Sequence, residues 1–188
     1  MDYFISDLHI GHTNAIRLCN RPYASVEEMD RSLVDNWNSK VKKNDTVYIV
    51  GDCFWIKKNV DYYLNQLKGK KVLVLGNHDN FSDYSDDAKE HFDIITPYLE
   101  INVDRHAITL CHYPMLEWKF SRSKTKSNYL IHGHIHNRIL PEYTALFVKD
   151  NALNAGVDIN GFCPVTLEEL ITNNRAFKQN ALKILSGI

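Results

Sequence analysis

The first half of the chain alternates short apolar runs with longer amphipathic segments. The runs are 3–5, 46–50 and 72–75, which are aliphatic, aromatic or β-branched and have the length of buried strands. A segment that begins at Ser25 separates the first two runs, and 59–67 separates the second and third. We predict that both segments are helices. The resulting order β-α-β-α-β favours parallel strands joined by right-handed crossovers.

Two of the predicted helices carry a recognisable N-terminal cap. Ser25 and Glu28 have the spacing of a capping box, and Thr166 and Glu169 repeat it near the C-terminus. Behind the first cap, apolar residues recur at three- and four-residue intervals, at Val26, Met29, Leu33 and Trp37. Behind the second, a terminal helical region is predicted, and residues 175–186 continue it as an amphipathic helix.

The second half of the chain is richer in strands. Segments 98–103 and 107–111 flank a short polar stretch and predict a hairpin, and 129–131 and 152–157 are further strand candidates. Two strand-rich halves with helices outside them predict an α/β fold, a four-layer α/β/β/α sandwich. We expect one domain over residues 1–188.

Composition narrows the class of protein. The 188 residues are 44% hydrophobic, which fits a compact domain with a sizeable core. Twenty-two basic and 23 acidic residues leave a net charge of −1, so no global basic footprint for nucleic acid is present, although a local patch remains open. No apolar run approaches the ~20 residues of a membrane span, and no secretory leader is visible, so we expect a cytoplasmic protein with no membrane partner. Its oligomeric state is not predictable from these features.

Polar residues with metal-binding side chains follow five of the predicted strands. The sequence shows Asp7 and His9, then Asp52, then Asn77, His78 and Asp79, then His112, then His134 and His136. Ligands of α/β sheets bind beyond the carboxyl ends of the strands, so these side chains are expected to meet. Oxygen and imidazole donors without cysteine suit Mn, Fe, Zn, Co or Ni. The four cysteines lack CxxC spacing, which argues against a thiolate zinc site.

The local spacing of these residues predicts their geometry. Asp7 and His9 are two positions apart, as are His134 and His136, so an extended backbone would point each pair in one direction. Three of the blocks also contain a glycine where the strand ends, which allows a sharp turn and a close approach of the backbone. These are Gly51, Gly76 and Gly133.

The ordered blocks D-x-H, GD, GNHD, a lone H and GHxH resemble those of the calcineurin-like metallophosphoesterases, in particular small single-domain bacterial and phage-type members. They span residues 7–136, and 154–160 also looks like the C-terminal strand of the small bacterial members. The resemblance implies a binuclear centre, with Mn²⁺ expected and Fe, Zn, Ni or Co as alternatives. One cation would be held by Asp7, His9, Asp52 and His136, and the other by Asp52, Asn77, His112 and His134.

The same resemblance implies roles for two residues that are not ligands. His78 would protonate the leaving oxygen or steady the phosphoryl charge, and Asp79 would orient His78. A hydroxide that bridges the cations would attack phosphorus in line. His132 is left outside the ligand set, because the glycine that follows it is expected to break the strand register; it would lie behind the ligands.

Candidate substrate contacts are His12, Arg17, Arg21 and Arg122. The segment 118–126 interleaves Trp118 and Phe120 with basic residues. It is either a substrate loop that attracts phosphate or nucleic acid and stacks a base, or a solvated surface loop. Both readings remain open from the sequence.

The expected function is hydrolysis of a phosphate ester. The chain leaves no room for a cap domain, and an open site favours a phosphodiester, for example in a nucleotide or nucleic acid. A phosphomonoesterase on the same site is the first alternative. A non-catalytic interaction scaffold on the same fold is the second, but such relatives lose the catalytic histidine or several ligands, and here His78 and all seven ligand positions are present.

Overall fold

The computed structural model of the protein describes residues 1–56, 59–80, 82 and 84–187 and contains two four-stranded sheets. The strands are β1 (Asp2–Ile5), β2 (Thr46–Val50), β3 (Lys70–Val74), β4 (Ile94–Thr96), β5 (Leu99–Val103), β6 (His106–Leu110), β7 (Asn128–His132) and β8 (Ala152–Asn154). The first sheet has the order β1-β2-β3-β4 and is parallel throughout. The second has the order β5-β6-β7-β8, and only its β5–β6 pair is antiparallel.

The helices are α1 (Thr13–Leu18), α2 (Val26–Lys40), α3 (Val60–Leu64), α4 (Asp86–Glu90), α5 (Thr144–Phe147) and α6 (Leu167–Ser186). Both predicted N-caps are present, but only the second is a full capping box, because the Glu28 carboxylate accepts the Ala24 amide instead of the Ser25 amide. Ser25 Oγ accepts a hydrogen bond from the Glu28 amide at 3.2 Å, and Thr166 and Glu169 exchange the two bonds of a full capping box. The predicted terminal region is one continuous helix, α6, whereas the helix expected over 59–67 forms only as the shorter α3.

Two apolar layers hold the sheets in place. Ile49 packs with Trp37 of α2 on the outer face of the first sheet, whereas the next residue, Val50, packs with Leu110 and Ile131 between the two sheets. Successive residues of a strand point to opposite faces, so this alternation accounts for a helix layer on one side and a second sheet on the other. The predicted four-layer sandwich is confirmed.

The second half differs from the sequence prediction in one strand. The β5–β6 hairpin is present, and Asp104 and Arg105 turn it with φ of 48° and 69°, as a tight two-residue hairpin loop requires. The strand predicted over 152–157 ends at Asn154, because the Asn154 carboxamide accepts the Gly156 amide at 2.8 Å and the chain turns there. A short 3₁₀ helix, Val157–Ile159, follows.

The segment after β8 is tied to the end of β1. Ser6 donates its amide to the Ala155 carbonyl at 2.9 Å, and the Val157 amide donates to the Ser6 carbonyl at 3.1 Å. The 3₁₀ helix therefore lies directly beside the residues that follow β1. Among the helices of the described ranges, none has both the length and the apolar character of a membrane span.

Candidate metal centre

Five parallel strands deliver the predicted side chains to one edge of the sandwich. Asp7 and His9 follow β1, Asp52 follows β2, Asn77 follows β3, His112 follows β6, and His134 and His136 follow β7. Strands β1, β2 and β3 are neighbours in the first sheet, and β6 and β7 are neighbours in the second. Since the strands within each group run in the same direction, their carboxyl ends lie together.

The buried Asp52 carboxylate stands between imidazoles from both halves of the chain. Its Oδ2 lies 3.6 Å from His9 Nε2 and 3.4 Å from His112 Nε2. The His112 Nδ1–H donates to the Val50 carbonyl at 2.9 Å, so in the neutral ring Nε2 keeps its lone pair and faces Asp52. Because one oxygen of the Asp52 carboxylate lies between two such nitrogens, Asp52 is well placed to be a ligand shared by two cations.

Asn77 and Asp7 complete the cluster on either side of Asp52. Asn77 Oδ1 lies 3.1 Å from His112 Nε2 and 2.8 Å from His134 Nδ1. Asp7 Oδ1 lies 3.8 Å from His136 Nε2. Within the described residues, potential ligand atoms fall within 4.8 Å of one another in three groups. Two of them share Asp7: Asp7, His9 and His136, and Asp7, Asp52 and His112; the third is Cys19, His136 and Asp158.

The backbone around these residues is not extended, which corrects the basis of one prediction. Asp7 and His9 have φ of 57° and 52°, and His134 and His136 have φ of 73° and 51°. Asp52 shares this left-handed conformation, with φ of 55°. The side chains of each pair do converge, but through left-handed turns beyond the strand ends rather than through the two-residue period of a strand. Such conformations cost about 1–3 kcal/mol each and cluster at functional sites.

All three predicted glycines are required by close approach. A Cβ at Gly76 would lie 2.2 Å from Asp52 Oδ1. A Cβ at Gly51 would lie 2.3 Å from His112 Nδ1, and Gly51 also has φ of 88°. A Cβ at Gly133 would lie 2.5 Å from Asp7 Oδ2. All three contacts are far inside van der Waals separation, so any larger residue would displace a candidate ligand.

The electrostatics of the cluster fit divalent cations. Burial opposes ionisation of Asp52, but the hydrogen bond and charge of His112 outweigh it and lower the Asp52 pKa to about 2. Burial lowers the His9 pKa to about 3, so this imidazole is neutral at physiological pH, and its buried Nδ1 has no partner among the described residues. Ionised carboxylate and neutral imidazole are the forms in which these side chains bind metal.

Asp158 also belongs to this cluster, and it was not predicted from the sequence. It lies on the 3₁₀ helix after β8, and its Oδ2 accepts a hydrogen bond from His136 Nδ1 at 2.7 Å. Burial disfavours protonation of His136, but its bonds with Asp158 and Cys19 and the charge of Asp7 outweigh burial and raise the His136 pKa to about 10. Asp158 thereby leaves His136 Nε2 facing Asp7, as carboxylates do behind metal-binding histidines.

Arg21 completes this arrangement and is not a substrate contact. Its side chain is fully buried; Nε donates to Asp158 Oδ1 at 2.8 Å, and the two Nη atoms donate to the carbonyls of Asp7 and Leu8 at 2.7 and 2.8 Å. The guanidinium therefore holds the Asp7 backbone and the Asp158 carboxylate together. The substrate role predicted for Arg21 is corrected by this geometry.

Asp79 has a different role from the one the resemblance implied. Its Oδ2 accepts the amides of Asp52 at 2.6 Å and Gly76 at 3.0 Å, and its Oδ1 accepts the Cys53 amide at 3.1 Å and the Tyr84 hydroxyl at 3.0 Å. None of these bonds involves the His78 imidazole. Asp79 instead fastens the turn after β2 to the turn after β3.

His78 stands at the exposed rim of the cluster. Its amide donates to Asp52 Oδ1 at 2.9 Å, and its Nε2 lies 4.0 Å from Asp52 Oδ2. The imidazole is 39% exposed, whereas the side chains of Asp52 and His9 are almost completely buried. His78 is therefore placed to meet a molecule that enters from solvent.

The remaining candidate residues differ in their distance from the cluster and in their exposure. His12 lines a cavity beside the cluster, and Arg17 is exposed on α1 outside that lining. Arg122 is exposed and pairs with Glu117. His132 is buried, and its Nδ1 is bonded to the Gly133 carbonyl.

The segment 118–126 fits the surface-loop reading better than the base-stacking reading. Trp118 is 9% exposed and donates its indole N–H to Asn128, within a small apolar cluster on the second sheet. Lys119 and Lys126 lie over the Phe120 ring, 5.6 and 4.1 Å from its centroid. Both aromatic side chains are thus engaged by the protein itself.

Two sheets that deliver carboxylate, amide and imidazole donors to one edge define a metal-binding protein of the α/β/β/α sandwich class. The chain belongs to the calcineurin-like phosphoesterase superfamily, whose domain matches residues 3–156. MJ1445 of Methanocaldococcus jannaschii, described as uncharacterized, is 34% identical over 172 residues, or 90% of this chain and 88% of the relative. The gene 66 protein of Mycobacterium phage L5 is 28% identical, over 85% of this chain and 87% of its own.

Solved structures share the fold. The structure of AQ665 from Aquifex aeolicus, described as a protein of unknown function, has a TM-score of 0.71 and 29% identity over 92% of this chain and 98% of its own. A structure described as a novel archaeal phosphodiesterase has a TM-score of 0.51 and 17% identity over 82% of both chains, a likeness of fold alone. Membership of this phosphoesterase family supports hydrolysis of phosphate esters as the chemical class.

Proposed function

We propose that the protein is a metal-dependent hydrolase of phosphate esters that uses two divalent cations and prefers phosphodiesters. The observation that carries the proposal is the buried Asp52 carboxylate, whose Oδ2 lies within 3.6 Å of both His9 Nε2 and His112 Nε2. One carboxylate oxygen flanked by two imidazoles from different sheets is the arrangement expected of a ligand shared by two cations.

The donors divide into two sets around Asp52. Asp7, His9 and His136 would hold one cation with Asp52, and Asn77, His112 and His134 would hold the other with the same carboxylate. When bound, such a pair supplies an activated water at neutral pH and neutralises the charge of the phosphate. The donor set favours Mn²⁺, with Fe, Zn, Ni or Co as alternatives.

His78 is the group that this chain offers to the leaving oxygen. It is exposed, belongs to neither ligand set, and is positioned through its backbone amide on Asp52 Oδ1. A protonated imidazole can act as a general acid and deliver a proton from Nε2 to the departing alkoxide. A diester carries a group on each of two esterified oxygens. The open approach on the His78 side leaves room for both groups.

The experiment compares a diester with a monoester on one protein. Chelated protein is loaded with Mn²⁺, and hydrolysis of bis-p-nitrophenyl phosphate is measured against p-nitrophenyl phosphate. We expect chelation to abolish hydrolysis, metal to restore it, and the diester to be cleaved faster. Much faster monoester cleavage would establish the phosphomonoesterase alternative, and no hydrolysis with any of the five metals would leave the scaffold alternative.

Two variants test the assignment of roles. His78→Ala should lose about 10²–10⁴-fold in turnover, the usual contribution of a general acid, and keep its metal content. Asp52→Ala should lose both metal and turnover. Metal content is measured by mass spectrometry on the same samples, and a His78→Ala protein that loses metal as Asp52→Ala does would overturn the assignment.

A further inference from the structure

A cavity opens beside the candidate metal centre and extends away from it. Its volume is about 390 Å³, within the range of small-molecule sites. His9 and His136 form its inner end, and His78 lies on its wall. The outer part is lined by residues that the proposed chemistry does not use: His12, Ala15, Leu18, Trp55 and Arg138.

One wall of this cavity is an aromatic plate. The Trp55 indole stacks on the His12 imidazole with 3.7 Å between ring centroids and 4° between planes, and 43% of Trp55 remains exposed. The plate is anchored through its backbone, because the Trp55 amide donates to the Ile10 carbonyl at 2.9 Å. A large aromatic side chain that stacks on His12 and is still 43% exposed offers a surface on which a planar ring can stack.

Other residues that line the cavity are apolar or cationic. Leu18 of α1 lines it with 64% of its surface exposed. Arg138 follows the turn after His136 and is exposed, and among the described residues no side chain forms a hydrogen bond or ion pair with its guanidinium. The aromatic surface of Trp55, the apolar side chain of Leu18 and the guanidinium of Arg138 together suit a planar ring system with polar groups at its edge.

The position of His78 indicates which part of a substrate would enter. Its ring lies 4.7 Å from the Trp55 ring, on the same cavity. If His78 protonates the leaving oxygen, the group attached to that oxygen departs along Trp55.

We propose that the cavity between Trp55, Leu18 and Arg138 is a leaving-group subsite that selects a nucleoside, stacking its base on Trp55. This inference rests on the proposed function for the identity of the leaving group, but the base-binding surface itself requires no turnover. It also places base recognition on the His12–Trp55 side of the centre rather than on the segment 118–126.

Binding is tested first, without catalysis. Adenosine and ribose are titrated into the protein, and backbone amide shifts are followed by NMR. Adenosine should bind at least about 5-fold more tightly than ribose, since stacking of one base contributes a factor of about 5–100. Trp55→Ala should remove this difference and Trp55→Phe should retain most of it.

Matched variants keep the test decisive. Tyr62 is an exposed aromatic residue outside the cavity, with 64% of its surface accessible against 43% for Trp55, so Tyr62→Ala should leave adenosine binding unchanged. Leu18→Glu places a charge on the cavity wall at an exposed position and should weaken adenosine binding in a folded protein. Equal binding of adenosine and ribose, or adenosine binding that survives both Trp55→Ala and Leu18→Glu, would overturn the subsite.

Turnover then identifies the leaving side. A dithymidine phosphodiester is compared with its two analogues that lack one base or the other. Removal of the base on the leaving side should lower kcat/KM about 5–100-fold in the wild type and have little effect in Trp55→Ala. Three equal rates would overturn the leaving-group assignment. Trp55-dependent adenosine binding in a protein that cleaves none of the three would overturn the proposed function and retain the nucleoside site.

Discussion

Asp158→Asn is the change that most directly tests how the candidate centre is held together. The Asp158 side chain is 1% exposed and is shared by the buried Arg21 guanidinium at 2.8 Å and by His136 Nδ1 at 2.7 Å. The substitution keeps the size of the side chain and one acceptor oxygen. It removes the charge that Arg21 faces and one of the two acceptors.

The expected loss of stability depends on which hydrogen-bond acceptors Arg21 keeps after the substitution. Removing one partner of a buried ion pair costs about 3–5 kcal/mol. Here Arg21 retains the carbonyls of Asp7 and Leu8, and the new carboxamide oxygen can still accept one bond. We therefore expect the free energy of unfolding to fall by about 2–3 kcal/mol, measured by urea denaturation of the metal-free protein.

The second consequence concerns metal. Without the carboxylate, His136 loses the acceptor that fixes its ring, and partners of this kind are worth about 10–100-fold in metal affinity. Mn²⁺ affinity is measured by competition with a chelator. Glu100→Gln is the matched control, because Glu100 pairs with Lys119 at the surface, where an ion pair contributes at most about 1 kcal/mol. Wild-type stability and wild-type Mn²⁺ affinity in Asp158→Asn would refute the reasoning.

Two further predictions concern Asp79 and His136. Asp79→Asn keeps one acceptor oxygen, so either the Asp52 and Gly76 amides or the Cys53 amide and the Tyr84 hydroxyl lose their acceptor. Metal content should fall together with stability, and an effect on turnover alone would contradict this. The His136 pKa, raised from 6.5 to about 10, means that the proton stabilises the metal-free fold fully below pH 6.5 and progressively less as pH rises toward 10. Metal binding at pH 8 must then release this proton, so calorimetric enthalpies should depend on the ionisation enthalpy of the buffer, and buffer-independent enthalpies would refute it.

The strands and the site residues were predictable because each has a strong local signal. The run 46–50 is β2 without any change of bounds, and Ser25 and Thr166 begin their helices as capping residues. Parallel strands in neighbouring positions then bring residues after β1, β2 and β3 to one edge whatever the loops do. The convergence of the predicted donors follows from topology more than from local geometry.

Elements without a long pattern were missed. Helix α4 has five residues and strand β4 has three, too few for a 3.6-residue or a two-residue period to be visible. The strand expected over 152–157 was too long, because the side chain of Asn154 competes for the Gly156 amide, and a sequence pattern does not show such bonds.

Isolated functional residues were missed for a related reason. Asp158 is a lone acid on a 3₁₀ turn, and only its three-dimensional neighbours His136 and Arg21 give it a role. Trp55 follows Cys53 and Phe54 in a loop with no periodicity, and its exposure cannot be inferred from its identity. For Arg21 the sequence suggested a phosphate contact, since an arginine near a phosphate site is a reasonable candidate until its partners are known.

The left-handed residues show what the fold must overcome at this site. Five candidate ligands have positive φ, and at about 1–3 kcal/mol each such strain is comparable with the whole stability of a small protein. Three of the five are held by local hydrogen bonds: the Asp52 amide by Asp79, the Asp7 carbonyl by Arg21, and the His134 amide by the Asp7 carboxylate at 3.1 Å. These bonds are made by protein groups alone. The fold therefore orients the donors before any cation binds, and the free energy of cation binding is not reduced by a change of backbone conformation.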